Sequence, residues 1–139
     1  MQTMQQNRAR YALAEIKRVL ESNEMAQGRE QDSDSPGDRN KKMRAEYKSY
    51  AAAFPAMIHM SGLGQAAAFY KSKGGTHAKL YKLLSDWLCR DDQPFSGQTD
   101  LINAMSESDM QTYRLAQAEA QALMDWVKKF AKAYLVDEK

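Results

Sequence analysis

The sequence predicts an all-α protein, a single-domain irregular helix bundle with two long terminal helices and several shorter ones between them. Three observations lead there. The chain holds three Val, three Ile and four Thr against twenty Ala, and sheets favour β-branched residues where Ala, Leu, Met, Gln, Lys and Glu favour helices. Apolar residues recur at helical spacing, most plainly at Leu80, Leu83, Leu84, Trp87 and Leu88. Finally, 139 residues fit one domain spanning 1–139, and such a domain buries roughly two-thirds of its unfolded surface.

The first helix is expected from about Thr3 to Gln27, with Ala9, Leu13, Ile16 and Leu20 on its buried face and Ala12 and Val19 beside them. Gly28 stops it. Residues 28–38 read as a flexible acidic loop carrying Glu30, Asp32, Asp34 and Asp38. A calcium loop needs a central Gly and a distal bidentate Glu, and neither stands at the right spacing. The second helix is expected near Asp38 and is basic at once, with an aromatic stripe of Tyr47, Tyr50 and Phe54 assigned to the core. Pro55 lacks an N–H and disfavours helical geometry at Phe54, so a kink or break is expected there.

Met57, Ile58 and Met60 lead into Gly62-Leu63-Gly64-Gln65. A leucine between two glycines marks a sharp corner where the backbone bends tightly while one apolar side chain turns inward. A short helix follows from Gln65 to Lys73, with Leu63, Ala67 and Phe69 or Tyr70 facing inward. Gly74-Gly75 ends it and Thr76 is placed to cap the next, the Leu80–Leu88 helix. Arg90 to Pro94 breaks the pattern, and Leu101, Ile102 and Met105 mark a minor helical turn. The last helix, some 25 residues long by its periodicity, has Ser106 with Asp109 or Ser108 with Gln111 as capping-box candidates. Its expected seam is Met110, Tyr113, Ala120, Leu123, Val127, Phe130 and Tyr134.

Charge and side-chain chemistry then narrow the function. A net charge of +2 is no argument for nucleic acid by itself. Cys89 is the only cysteine, so no intramolecular disulfide forms and a reducing compartment is expected. No run of about eighteen apolar residues occurs, and Met1 to Gln6 lacks the apolar core of a signal peptide. A cytoplasmic protein without membrane attachment is the expectation. His59 and His77 are the only histidines and neither has ligand spacing, Cys89 reads as an inert thiol, and no carboxylates cluster on one face. No enzyme, cofactor or metal is therefore expected. Gly62–Gln65 follows a helix and lacks a third glycine, so it is no dinucleotide fingerprint. A phosphate held at the helix start after Gly64 stays open as a further reading.

The basic residues form two groups: Arg39, Lys41, Lys42, Arg44 and Lys48, then Lys71, Lys73, Lys79 and Lys82. Lys41, Arg44 and Lys48 share a helix face at i, i+3, i+7. If the bundle brings the groups together they make a positive stripe suited to a nucleic-acid backbone. An ordinary solvated face is the competing reading.

The run Tyr47–Lys73 resembles the small helical subunit of the type III-B (Cmr-type, RAMP module) CRISPR effector complex. The resemblance rests on Tyr47-Lys48-Ser49-Tyr50, Phe54-Pro55-Ala56-Met57-Ile58, Gly62-Leu63-Gly64-Gln65, Ala67-Ala68-Phe69 and Lys71-Ser72-Lys73. Trp87, Tyr113-Arg114, Leu123-Met124-Asp125-Trp126 and the opening Gln6–Ala12 extend it. It implies a non-catalytic building block of an RNA-guided antiviral ribonucleoprotein, stacked in copies along the inner face of the complex. The implied partners are RAMP-fold backbone subunits, the large polymerase-like subunit, guide and target RNA, and further copies of the chain. Lys41, Lys42, Arg44, Lys48, Lys71 and Lys73 are the expected phosphate contacts, with Gly62–Gln65 a structural corner that sets the two basic segments. The alternative is a helical protein–protein adaptor or regulator outside CRISPR systems. A small metal-dependent nuclease would need an acidic metal site that these residues do not assemble.

Overall fold

A computed structural model describes residues 2–21 and 36–136. Among the described residues six helices account for the fold: α1 (Met4–Glu21), α2 (Pro36–Ser61), α3 (Leu63–Lys73), α4 (Gly75–Leu88), α5 (Leu101–Glu107) and α6 (Met110–Tyr134). Among the described residues there is no strand, and no helix is long and apolar enough to cross a membrane.

Helix α1 starts with a capping box absent from the expectations above. The Gln6 N–H donates to Thr3 Oγ1 at 3.1 Å, and the Thr3 N–H donates to Gln6 Oε1 at 2.9 Å. Its buried residues are Ala12, Ile16 and Val19, whereas Leu20 is largely exposed. The seam is thus turned by about one residue from the expected one. The expected end of this helix at Gln27 and most of the 28–38 loop lie outside the described residues. Helix α2 begins at Pro36, not Asp38, so the last three positions of that loop are helical. Proline suits a first helical position because its missing N–H would be unsatisfied there anyway.

Of the expected kink or break, the break is absent: Pro55 neither ends nor splits α2. Phe54, Pro55 and Ile58 are buried together, and Gln121 Nε2 of α6 donates to the Pro55 carbonyl at 2.9 Å. Packing on both sides of the proline offsets the single ladder bond it forfeits. The corner follows, with Gly62 at φ 89° and no cap from its own side chain. Helix α3 therefore opens with bare N–H donors, and α6 satisfies two of them. The Leu63 N–H donates to Gln117 Oε1 at 2.9 Å and the Gly64 N–H to the Tyr113 hydroxyl at 2.8 Å. Leu63 is fully buried beneath, and α3 starts two residues earlier than the expected Gln65. Tyr70 turns inward, stacked on Phe54 at 3.9 Å, while Phe69 stays on the surface.

Thr76 does not cap α4. Gly74 takes that position without a side-chain bond, and the Thr76 hydroxyl donates instead to Glu46 of α2 at 3.0 Å. The predicted α4 face is buried throughout. Asp100 caps α5 and Asp109 caps α6, each carboxylate accepting the N–H three residues on. Asp109 replaces both expected serine caps. Along α6 the buried residues are Ala116, Ala120, Leu123, Met124, Val127 and Ala131. Met110 and Tyr134, assigned to the seam, sit exposed at the helix ends.

Glu119 joins three helices. Its carboxylate takes a paired contact from Arg8 (Nε 2.6 Å, Nη2 2.9 Å) and a third bond from Trp87 Nε1 at 2.9 Å, with the side chain only 11% exposed. Burial alone would push this carboxyl up, but the bonds from Arg8 and Trp87 outweigh it and hold it below the usual glutamate value. A depressed folded pKa contributes stability that is complete above the unfolded value and lost as pH falls through the folded one.

These contacts make two expectations measurable. Gly62→Ala is expected to cost about 1–2 kcal/mol because its φ is positive. Gly64→Ala is expected to cost less: its Cβ meets chiefly Met105 Sδ at 2.6 Å, the movable end of a flexible side chain. Equal melting temperatures for the wild type and Gly62→Ala would refute the corner geometry. Glu119→Gln is expected to lower stability by roughly 1–3 kcal/mol at neutral pH. The gap should narrow as pH drops below about 4.5, the ordinary value. Denaturation at several pH values reads it, and a gap constant with pH would deny the carboxylate its role.

Candidate nucleic-acid interface

Met43, Tyr47, Ala51, Phe54 and Ile58 define the buried stripe of α2. At 3.6 residues per turn, Lys48 stands about 200° round the helix from Glu46 and about 160° from Tyr50. Glu46 and Tyr50 face α3 and α4: Glu46 accepts from Thr76, the Tyr50 carbonyl accepts from the Tyr70 hydroxyl at 2.6 Å, and the Tyr50 ring stacks on His77. Lys41, Arg44 and Lys48 thus lie along the other edge of α2, the edge beside α6. Lys41 is exposed; Arg44 and Lys48 are half-buried. Lys42 stands one turn before Glu46, on the α4 side.

The neighbouring helix adds charge there. Contacts from α6 residues 113, 117 and 121 to α2–α3 residues 64, 63 and 55 show that α6 runs antiparallel to α2. Equal steps from the Gln121–Pro55 contact bring Lys128 level with Lys48, and Lys132 level with Arg44. Gln121, Lys128 and Lys132 share one side of α6, and both lysines are exposed. A basic α2–α6 edge results. Sequence reasoning finds only its α2 half, because the α6 half becomes visible only once the partner and direction of α2 are known.

Lys71 and Lys73 belong to a different flank. Lys71 Nζ lies 3.7 Å from Asp100 Oδ2 and 5.4 Å from the centre of the Tyr81 ring. Asp100 in turn accepts from the Tyr81 hydroxyl at 2.7 Å. Burial acts to raise this carboxyl, but the bonds from Tyr81 and the Asn103 N–H hold it below the usual aspartate range. Lys73 Nζ sits 5.3 Å from the centre of the Phe69 ring. The fold therefore does not merge the two basic segments into one stripe: Lys41, Arg44 and Lys48 flank α6, whereas Lys42, Lys71 and Lys73 flank α3 and α4.

Lys79 and Lys82 take part in a third setting. They line a cleft of about 260 Å³ between α1, α2 and α4 with Glu15, Arg18 and Asp86. Lys82 is 3.0 Å from Asp86, and burial pushes the Glu15 carboxyl up. Its charges are mixed, so it is not a cationic track. Elsewhere, His59 is exposed and Cys89 is half-buried, its thiol pushed up by burial. Among the described residues no three of His, Cys, Asp and Glu gather as metal ligands.

The family model of the CRISPR-associated protein Cas_Cmr5 matches residues 4–134, a span that contains all six helices. The chain belongs to the Cmr5 family. It is 30% identical over 95 residues to the CRISPR system Cmr subunit Cmr5 of Thermus thermophilus, which covers 68% of this chain and 79% of that protein. A crystal structure of a CRISPR-associated Cmr5 family protein, also from Thermus thermophilus, superposes with a TM-score of 0.71 at 24% identity. It covers 98% of this chain and all of that one, and so shows the same fold. The resemblance drawn from the glycine corner and its flanking segments thus identifies the right family, and a type III-B Cmr subunit follows. With Cmr5 membership, the reading as an adaptor outside CRISPR systems is withdrawn.

Proposed function

We propose that this Cmr5 chain is a non-catalytic small subunit of an RNA-guided antiviral ribonucleoprotein, supporting guide and target RNA by contacting phosphates through its basic surface. The α2–α6 edge carries the reading: Lys41, Arg44 and Lys48 run along one helix beside Lys128 and Lys132 on its antiparallel neighbour. Lysines and arginines at helical spacing follow a phosphate backbone without reading base edges. Lys42, Lys71 and Lys73 provide a second flank. Copies of the chain stack along the inner face of the complex, beside the RAMP-fold backbone subunits and the large polymerase-like subunit. Apolar side chains left exposed at the two ends of α6 support stacking, with Met110 at one end and Tyr134 and Val136 at the other. Met60, at the corner end of α2, is 82% exposed.

Salt dependence tests the phosphate contacts. Each phosphate neutralised on single-stranded RNA contributes about −0.7 to the slope of log affinity against log salt, so three or four contacts lose roughly 20- to 50-fold between about 50 and about 200 mM salt. Joint charge reversal of Lys41, Arg44 and Lys48 is expected to flatten that slope, as is reversal of Lys128 with Lys132 or of Lys71 with Lys73, with helical content unchanged. Reversed variants that bind RNA with the wild-type slope but fail to enter the complex would make these residues protein-docking groups. Incubation with RNA in Mg²⁺ or Mn²⁺ is expected to give no cleavage. Cleavage that follows the protein through successive columns would overturn the non-catalytic reading.

A further inference from the structure

On the α3–α4 flank, four aromatic rings and an imidazole form a cluster that runs from the core to the surface. Tyr70 stacks on Phe54 at 3.9 Å, and His77 stacks on Tyr50 with ring centres 3.6 Å apart and planes 17° from parallel. His77 also meets Tyr70 edge-on at 5.0 Å and Phe69 edge-on at 6.0 Å. Phe54 and Tyr70 are buried, Tyr50 and His77 are partly open, and Phe69 is 41% exposed. An exposed phenylalanine gains nothing for the core. Here it meets Tyr70 and His77 edge-on at 6.0 Å and carries the aromatic cluster outward.

A cation borders the exposed ring of the patch. Lys73 Nζ lies over the Phe69 ring, whereas Lys71 is turned to Asp100 and Tyr81 and Glu46, bonded to Thr76, also acts on His77. Gly74 and Gly75, both at positive φ, connect α3 to α4 beside the patch, and a side chain added at either would meet nothing within 4 Å. The connection adds no side chain there, and the Phe69 ring is the exposed one. An apolar partner side chain would favour a neutral rim, whereas an anionic chain bearing planar rings matches both the exposed aromatic face and the lysine beside it.

We propose that Phe69, backed by the Tyr50–His77 stack and bordered by Lys73, is a stacking platform for an unpaired nucleobase of single-stranded RNA. The proposal rests on the RNA-binding reading above and deepens it: the α2–α6 edge follows phosphates, while this flank seats a base. When a base covers Phe69, the Lys73 ammonium swings on its flexible stem from the ring to the adjoining phosphate. Stacking is tolerant of sequence because every base has a π face.

The test uses the full chain, a short fluorescein-labelled oligouridylate and an abasic oligonucleotide of equal length and charge. Wild type is expected to bind the base-bearing strand about tenfold more tightly than the abasic one. Phe69→Leu, which keeps an apolar surface group and removes the π face, is expected to lose that preference while keeping the salt slope. In nuclear magnetic resonance spectra, the Phe69 and His77 ring signals should shift with oligouridylate and not with the abasic strand. Wild-type binding with a normal salt slope but no base preference would overturn the stacking platform and leave the phosphate reading standing. Absence of salt-dependent binding in the wild type would remove both. A Phe69→Leu chain with unaltered RNA binding but weakened entry into the complex would assign the patch to a protein neighbour instead.

Discussion

The fold depends on the polar side chains of α6 that reach its neighbours between residues 113 and 121. Tyr113 and Gln117 hold the start of α3, Glu119 holds α1 through Arg8 and α4 through Trp87, and Gln121 holds α2 at the Pro55 carbonyl. Each such bond contributes only about 0.5–1.5 kcal/mol net, rising when a charge is involved. Their importance lies in specificity. Ala12, Ala51, Ala66, Ala67, Ala116, Ala120 and Ala131 are all buried. Alanine lets helices approach closely but offers little side-chain relief to fix one helix against the next. Wherever a donor or acceptor is buried, sliding by one residue would leave it unpaired at a cost of about 1–3 kcal/mol. Apolar burial makes the bundle stable, and these few bonds select its register.

Register is also what creates the cationic edge. Lys48 and Lys128 are far apart in the sequence and come level only because Gln121 meets Pro55. The same bond ties the proline-containing stretch of α2 to α6. The glycine corner works alongside. Gly62 supplies a backbone angle that other residues adopt only with strain, and α3 then returns along α2 far enough for Tyr70 to stack on Phe54. That return separates Lys71 and Lys73 from the α2–α6 edge.

How much of this is legible in the sequence varies by element. Helix α4 is legible because Leu80, Leu83, Leu84, Trp87 and Leu88 are large, and the period they mark is unambiguous. The α6 seam is less clear because alanines at 116, 120 and 131 carry much of it, and alanine is equally at home on either face. Met110 and Tyr134 match the period but lie at the helix ends, where no neighbour covers them. The capping box Thr3-x-x-Gln6 has a local signal that the expectations miss, and Asp109 enters them only as the third residue after Ser106. The bonds from Gln117 and Tyr113 to α3 have no local signal, since such contacts exist only in three dimensions. The same holds for the basic residues: helical spacing shows which lysines share a face, but the neighbours of that face come from the packing. For Phe69 and Tyr70, adjacent aromatics leave the inward choice open until Phe54 settles it.

A surface of this kind binds weakly when alone. In the proposed role, three to five cations along one edge would engage only a handful of phosphates, and salt at cellular strength screens exposed charges beyond about 8 Å. The stacking proposed above would change that balance. Were one copy to hold a strand, the next phosphates would be delivered to its neighbour at high effective concentration, and the joint affinity would exceed that of one copy by orders of magnitude. Weakness in each copy would then be an advantage, because a strand held by many reversible contacts can be released stepwise. Under that proposal a more basic chain would hold any RNA as a monomer, whereas a mild edge repeated along a stack would hold only what spans several copies.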